Sequence, residues 1–131
     1  MRRAIELSLK GFPAPNPRVG CVIVSKGEIV GEGWHDHAGG HHAEVAALKT
    51  AGGAARGAEV YCTLEPCNHH GRTPPCSQAL IAAGVSRVNY AVDDPNPLAV
   101  GGGRALLDAG IEIQTGLLRE AAEAANALFL T

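Results

Sequence analysis

A histidine and a glutamate two positions apart, His42 and Glu44 in GGHHAEVAAL, and two cysteines with eight residues between them, Cys67 and Cys76 in EPCNHHGRTPPC, are the parts of the chain best suited to chemistry. Imidazole nitrogen and cysteine thiolate are donors that zinc prefers. His42 and Glu44 fall where a helix is predicted to start. Residues two apart diverge on a helical surface, so the pair cannot grip one ion from mid-helix as an i, i+4 pair would. At the first turn they can divide the work: the imidazole holds a metal, and the carboxylate reaches toward whatever the metal carries. Cys67 comes just past a predicted strand, and Cys76 opens the next predicted helix, where the N-terminus favours a thiolate. One histidine and two thiolates make three protein ligands, the number that leaves a tetrahedral zinc position open for water and marks a site as catalytic.

Each half of this constellation is weak alone. A His-x-Glu is usually a solvated helix start, and two cysteines so far apart exceed the short spacing of structural zinc motifs. Both halves at element junctions of one short chain favour the metal. Cys21 alternates with Val19 and Ile23, and Cys62 with Val60 and Leu64, so both read as buried small hydrophobes and neither is assigned to the metal. Cys62 is the alternative nearest in sequence to Cys67.

The elements that must position these residues read as one alternating series. Helices are predicted over about 2–10, 43–51, 77–84, 103–110 and 117–130, with strands in VGCVIV, IVGEGW, AEVYCTL, VSRVNYAV and IEIQTG. VGCVIV and IVGEGW form a hairpin around Ser25-Lys26-Gly27-Glu28. Five strands interleaved with helices predict a three-layer α/β/α sandwich with a mixed, mostly parallel sheet. Ligands of such sheets bind beyond the carboxyl ends of strands, where the unusual loops fall.

At 131 residues the chain suits one domain that can bury a core without metal support, so a metal here serves chemistry. The net charge of -2 lacks the basic excess of a phosphate-backbone binder, which argues against nucleic acid as partner. Glu6 and Lys10 interrupt the apolar run of the opening MRRAIELSLKGF, and no window approaches a membrane span, so neither a signal peptide nor a membrane partner is expected. Four cysteines in such a chain point to a reducing compartment and a cytoplasmic location.

His-x-Glu followed by Pro-Cys and a second Cys is similar to the signature of the zinc-dependent cytidine-deaminase-like superfamily, although the cysteine interval is longer than the usual Pro-Cys-x-x-Cys. EPCNHHGRTPPC together with PNPRVGCVIV, HHAEVAAL and DDPNP resembles the deaminase domain of the riboflavin-biosynthesis deaminase/reductase family over essentially the whole chain. The resemblance implies a cytidine-deaminase-like fold, a zinc ion (Zn2+) held by His42, Cys67 and Cys76, and Glu44 as the catalytic proton carrier. The implied reaction is hydrolytic deamination of 2,5-diamino-6-ribosylamino-pyrimidinone 5'-phosphate, releasing ammonia. Substrate contacts are implied at Asn16, His35, His69, Arg72, Asp94 and Asn96, with Arg72 suited to the phosphate. Without the resemblance, the Asn-Pro and Asp-Pro dipeptides read as turn starters and His35 as a surface histidine. His37, His41 and His70 read as solvent-side or supporting histidines.

Two departures from the family pattern stand out. The arginine usual between the glycines after DPNP is missing from the run Gly101-Gly102-Gly103. The chain stops at NALFLT where a bifunctional member continues into a reductase domain. The expectation is therefore a single deaminase domain over 1–131, free-standing or cut from a longer protein, with a reductase domain as a separate or covalently linked partner. Relatives form dimers or tetramers, which implies a homodimer or homotetramer, and the small-residue helix GRALLDAG offers a surface for close packing. The alternatives are a deaminase of another small base or nucleoside, such as cytosine, guanine or cytidine, and a non-catalytic zinc-stabilised binding module. A transfer-RNA adenosine deaminase is disfavoured by the negative charge.

Overall fold

The computed structural model describes residues 1–11, 18–36, 41–67, 75–93 and 101–130, the last five as backbone. Helix α1 (Arg2–Ser8) buries Ala4 and Leu7, three positions apart on one side. Strands β1 (Gly20–Ser25) and β2 (Glu28–Trp34) form the expected hairpin, and both residues of its Lys26-Gly27 turn have positive φ, the backbone that matches strand twist in a two-residue turn. Helix α2 (Ala43–Ala51) runs into a 3-10 turn (Gly52–Ala55) and leads to β3 (Glu59–Leu64). Helix α3 (Cys76–Ala83) stops at Gly84, which takes the left-handed conformation that commonly ends helices. Strand β4 (Arg87–Val92), helix α4 (Gly102–Asp108), strand β5 (Glu112–Thr115) and helix α5 (Arg119–Leu130) complete the chain.

The strand order is β2-β1-β3-β4-β5. Helices α2, α3 and α4 cover one face through Ala43, Ala47, Leu80 and Leu106, packed on Cys21, Ile23, Val60, Cys62, Val88 and Tyr90. Full burial of Leu80 or Leu106 contributes about 2 kcal/mol each. The other face is covered by α1, whose Ala4 and Leu7 meet Val22, Val24, Trp34 and Tyr61; α5 packs beside α1 on β3 and β4. The three-layer α/β/α sandwich and its five-stranded mixed sheet match expectation, but the sheet is not mostly parallel. The β1–β2 and β1–β3 pairs are antiparallel, and β3–β4 and β4–β5 are parallel. The hairpin forces the first reversal, and β3 then enters beside β1 rather than beside β2.

This arrangement decides where the chemistry gathers. The carboxyl ends of β2, β3 and β4 and the amino end of β1 all lie at one edge of the sheet. Trp34 leads to His35 there, Leu64 to Cys67, and Val92 to Asp93. Helix α2 reaches the same edge because Gly33 of β2 leaves room for it: a Cβ on Gly33 would lie 2.6 Å from the Ala47 amide nitrogen and 2.8 Å from the Ala46 Cβ. No described helix is long and apolar enough to cross a membrane.

Candidate metal centre

Helix α2 begins at His42, whose extended backbone (φ -69°, ψ 158°) makes it the N-cap while its carbonyl accepts the Ala46 amide at 3.1 Å. The cap geometry turns the His42 ring out of the helix, and Glu44, two residues on, turns inward to 3% exposure. Cys67 follows Glu65 and Pro66 beyond β3, and Cys76 is the first residue of α3 after Pro75. Two backbone links hold the sulfurs together. The Cys76 amide donates to Cys67 Sγ at 3.3 Å, and the Ser77 amide donates to the Cys67 carbonyl at 3.1 Å.

His42 Nδ1 lies 3.1 Å from Cys76 Sγ and 3.6 Å from Cys67 Sγ, and one donor atom from each residue falls within a 4.8 Å group. His42 is exposed, Cys67 half-buried and Cys76 buried, so the group opens to solvent on one side. The donor set, one imidazole and two thiols converging at hydrogen-bond distance, fits a tetrahedral zinc with one position left over. Cys21 and Cys62 stay apart from it. They face each other across β1 and β3 with sulfurs 3.4 Å apart, both fully buried, as their strand alternation predicted.

Electrostatics in the metal-free group follow from this crowding. Hydrogen bonds from the Cys76 thiol, then His42 and the Cys76 amide, pull the Cys67 pKa down to about 4 against the opposing effect of burial. The same contact with the Cys67 thiolate, reinforced by burial and by Glu44, pushes Cys76 far up. His42 is raised mainly by its hydrogen bond to Cys67. Burial raises Glu44, partly offset by its own backbone amide, Cys76 and His42. At neutral pH the metal-free site therefore carries a Cys67 thiolate and a Cys76 thiol. Metal needs both thiolates and a neutral imidazole, so zinc uptake should release at least about one proton, and more on acidification as His42, its pKa raised, takes up a proton. Apparent zinc affinity should then weaken on acidification, and calorimetry in buffers of different ionisation heat would measure the protons released. Zinc binding with none released at pH 7 would contradict this account.

His35 sits beside the group. It is 4% exposed, its Nδ1 donates to the His41 carbonyl at 3.0 Å, and its ring meets that of His42 edge-on, centroids 5.2 Å apart. A carbonyl can only accept, so the bond fixes the proton on Nδ1. The surface-histidine reading of His35 is therefore wrong, because β2 carries it under the start of α2. His41 itself is exposed and places its Nε2 3.0 Å from Lys49 Nζ, while its carbonyl holds His35. Asn16, His69, Arg72, Asp94 and Asn96 lie outside the described residues, as do His37 and His70. The described residues that flank those segments in sequence, Arg18, Cys67, Pro75 and Asp93, come at the sheet edge that carries the metal group.

Sequence reasoning missed Glu65, a carboxylate 6% exposed that accepts the Gly103 amide at 2.9 Å. The signal was present in two halves: an acid at a strand end before Pro-Cys, and an uninterrupted glycine run. Only the fold joins them.

A mixed-sheet α/β/α domain with a His/Cys/Cys group at the strand ends defines a class, the cytidine and deoxycytidylate deaminase zinc-binding region, whose family model matches residues 1–92. Riboflavin biosynthesis protein RibD of Escherichia coli is 56% identical over 133 residues, covering 99% of this chain and 36% of its own length. The diaminohydroxyphosphoribosylamino-pyrimidine deaminase of Buchnera aphidicola is 54% identical over 129 residues, covering 96% of this chain and 88% of its own length. The structure of Acinetobacter baumannii RibD superposes with a TM-score of 0.93 at 51% identity, covering 98% of this chain and 37% of that one. The chain belongs to that zinc-binding deaminase family and, within it, to the deaminase domains of the RibD type. It spans a little over a third of the RibD chains it matches.

Proposed function

We propose that the chain is a zinc-dependent hydrolase that deaminates 2,5-diamino-6-ribosylamino-pyrimidinone 5'-phosphate in the cytoplasm as a step of riboflavin biosynthesis. The observation that carries the proposal is the convergence of His42, Cys67 and Cys76 beside the buried Glu44. The name of the Buchnera relative, which this chain nearly spans, supplies the substrate class. Bound zinc lowers the pKa of water toward neutrality and so supplies a nucleophile at working pH.

The chain's own residues would do the rest. His42, Cys67 and Cys76 hold the ion. The Glu44 carboxylate would take one proton of the attacking water and deliver it to the ring nitrogen next to the amidine-like carbon, then move the proton of the added hydroxyl to the departing amine as the carbonyl forms. Water adds to that carbon, the carbon–nitrogen bond breaks and ammonia leaves. His35, held through Nδ1 on the His41 carbonyl with its ring edge-on to His42, contacts the substrate beside the metal group. Asn16, His69, Asp94 and Asn96 contact the heterocycle and sugar, and Arg72 the phosphate. We place these activities in a single domain over 1–131, with any reductase step carried by a separate or linked domain. A homodimer or homotetramer fits the family, and of the small residues in GRALLDAG, Gly103 is buried within the chain while Ala109 and Gly110 are exposed.

The test is ammonia release from the diaminopyrimidinone ribosylamine phosphate beside cytosine, guanine and cytidine. Release from the first alone is expected. Faster release from one of the others would assign a different base, and release from none would favour a binding module.

A further inference from the structure

Glu65 is used neither by the metal group nor by the reaction proposed above, yet the fold closes around it. Its amide donates to the Val92 carbonyl at 2.8 Å, at the end of β4, and its Oε2 accepts the Gly103 amide in the first turn of α4 at 2.9 Å. The Tyr90 hydroxyl is pushed up to about 12, by burial first and then by the charges of Glu65 and Asp93, which is consistent with a carboxylate beside the phenol. Helix α4 comes so close that no side chain fits between. A Cβ on Gly102 would overlap the Pro66 carbonyl. One on Gly103 would lie 2.5 Å from the Tyr90 hydroxyl oxygen and 3.2 Å from Glu65 Oε2. Glu65 and Pro66 are thus clamped between β4 and α4, and the next residue is Cys67. Gly102 and Gly103 have their use here, because they let α4 reach the clamp.

From these contacts we infer that Glu65 is a positioning residue for the metal centre: its carboxylate locks the Glu65-Pro66-Cys67 segment onto the first turn of α4 and so fixes Cys67 Sγ for the ion. The inference rests on the reading of His42, Cys67 and Cys76 as the metal ligands. Groups that orient metal ligands from outside the coordination sphere typically affect affinity by about 10- to 100-fold. The carboxylate suits the task because it accepts an amide of the first turn of α4, one of the helix-start donors that lack an intrahelical partner.

Glu65→Ala and Glu65→Gln test it, with zinc dissociation constants from chelator competition and the absorption spectrum of the cobalt(II)-loaded protein. Glu65→Ala should bind zinc about 10-fold or more weakly and shift the cobalt bands. Glu65→Gln should lie between it and the native protein, because an amide oxygen can still accept from Gly103. A Glu65→Ala variant with native zinc affinity and native cobalt bands would overturn the inference, even if its melting temperature fell. Should Glu65→Ala fail to fold, native affinity and bands in Glu65→Gln would overturn it equally. Failure of the native protein to bind zinc would instead overturn the metal-centre reading, so the two outcomes are distinguishable.

Discussion

Replacing Glu44 with glutamine is expected to leave the zinc content and the fold intact while lowering turnover by about 10²- to 10⁴-fold, the range of a lost general acid–base group. The carboxyl is buried under the start of α2, and burial is the largest cause of its raised pKa. Burial favours the protonated carboxyl that delivers a proton, and a bound dication would favour the carboxylate that takes one. Glutamine has nearly the same shape and preserves the contact with Cys76, but it cannot carry a proton between water and ring nitrogen. The loss should therefore fall on kcat, with metal content and melting temperature near native. A Gln variant with normal kcat would remove Glu44 from the mechanism.

Replacing Cys67 with serine should have the larger effect. With one thiolate gone, His42 and Cys76 alone make a poor zinc site, and the variant should lose its metal and most of the acceleration, typically at least ~10⁶-fold, that an enzyme provides over the uncatalysed reaction. The fold should survive. Its main core, from Ile23 and Val60 to Leu80 and Leu106, lies between sheet and helices and includes none of the three metal ligands. Circular dichroism and metal analysis on the same sample separate the two readings. A folded, zinc-free, inactive Cys67→Ser is expected, whereas unfolding on metal loss would mark a structural zinc. Cys62→Ala supplies the contrast, since it should keep its zinc. If Cys62→Ala lost zinc and Cys67→Ser kept it, the ligand assignment would be wrong.

The elements that were legible are those set by local pattern. AEVAALKTA has helix formers bounded by His42 and Gly52, and the observed helix occupies those same residues. The hairpin was readable from Lys26-Gly27, and the metal group from residue types that have few other uses at element junctions. Strand direction was not readable in full, because whether β3 lies beside β1 or β2 depends on sheet order, a property of the whole chain. The burial of His35 escaped for the same reason: an isolated histidine after Trp34 carries no periodicity, and only the approach of α2 covers it. Glu65 escaped because its partner Gly103 is 38 residues away. A glycine run read alone suggests a loop, not a socket for a carboxylate.

In the proposed reaction a single zinc held by His42, Cys67 and Cys76 would drive hydrolytic loss of ammonia from the diaminopyrimidinone. Titrating zinc into metal-free protein while following ammonia release from that substrate tests it most directly. The rate should rise linearly from near background and saturate at about one zinc per chain, the stoichiometry of one three-ligand site. Ammonia release that is unchanged by zinc, or a zinc-saturated protein that releases none, would contradict the account.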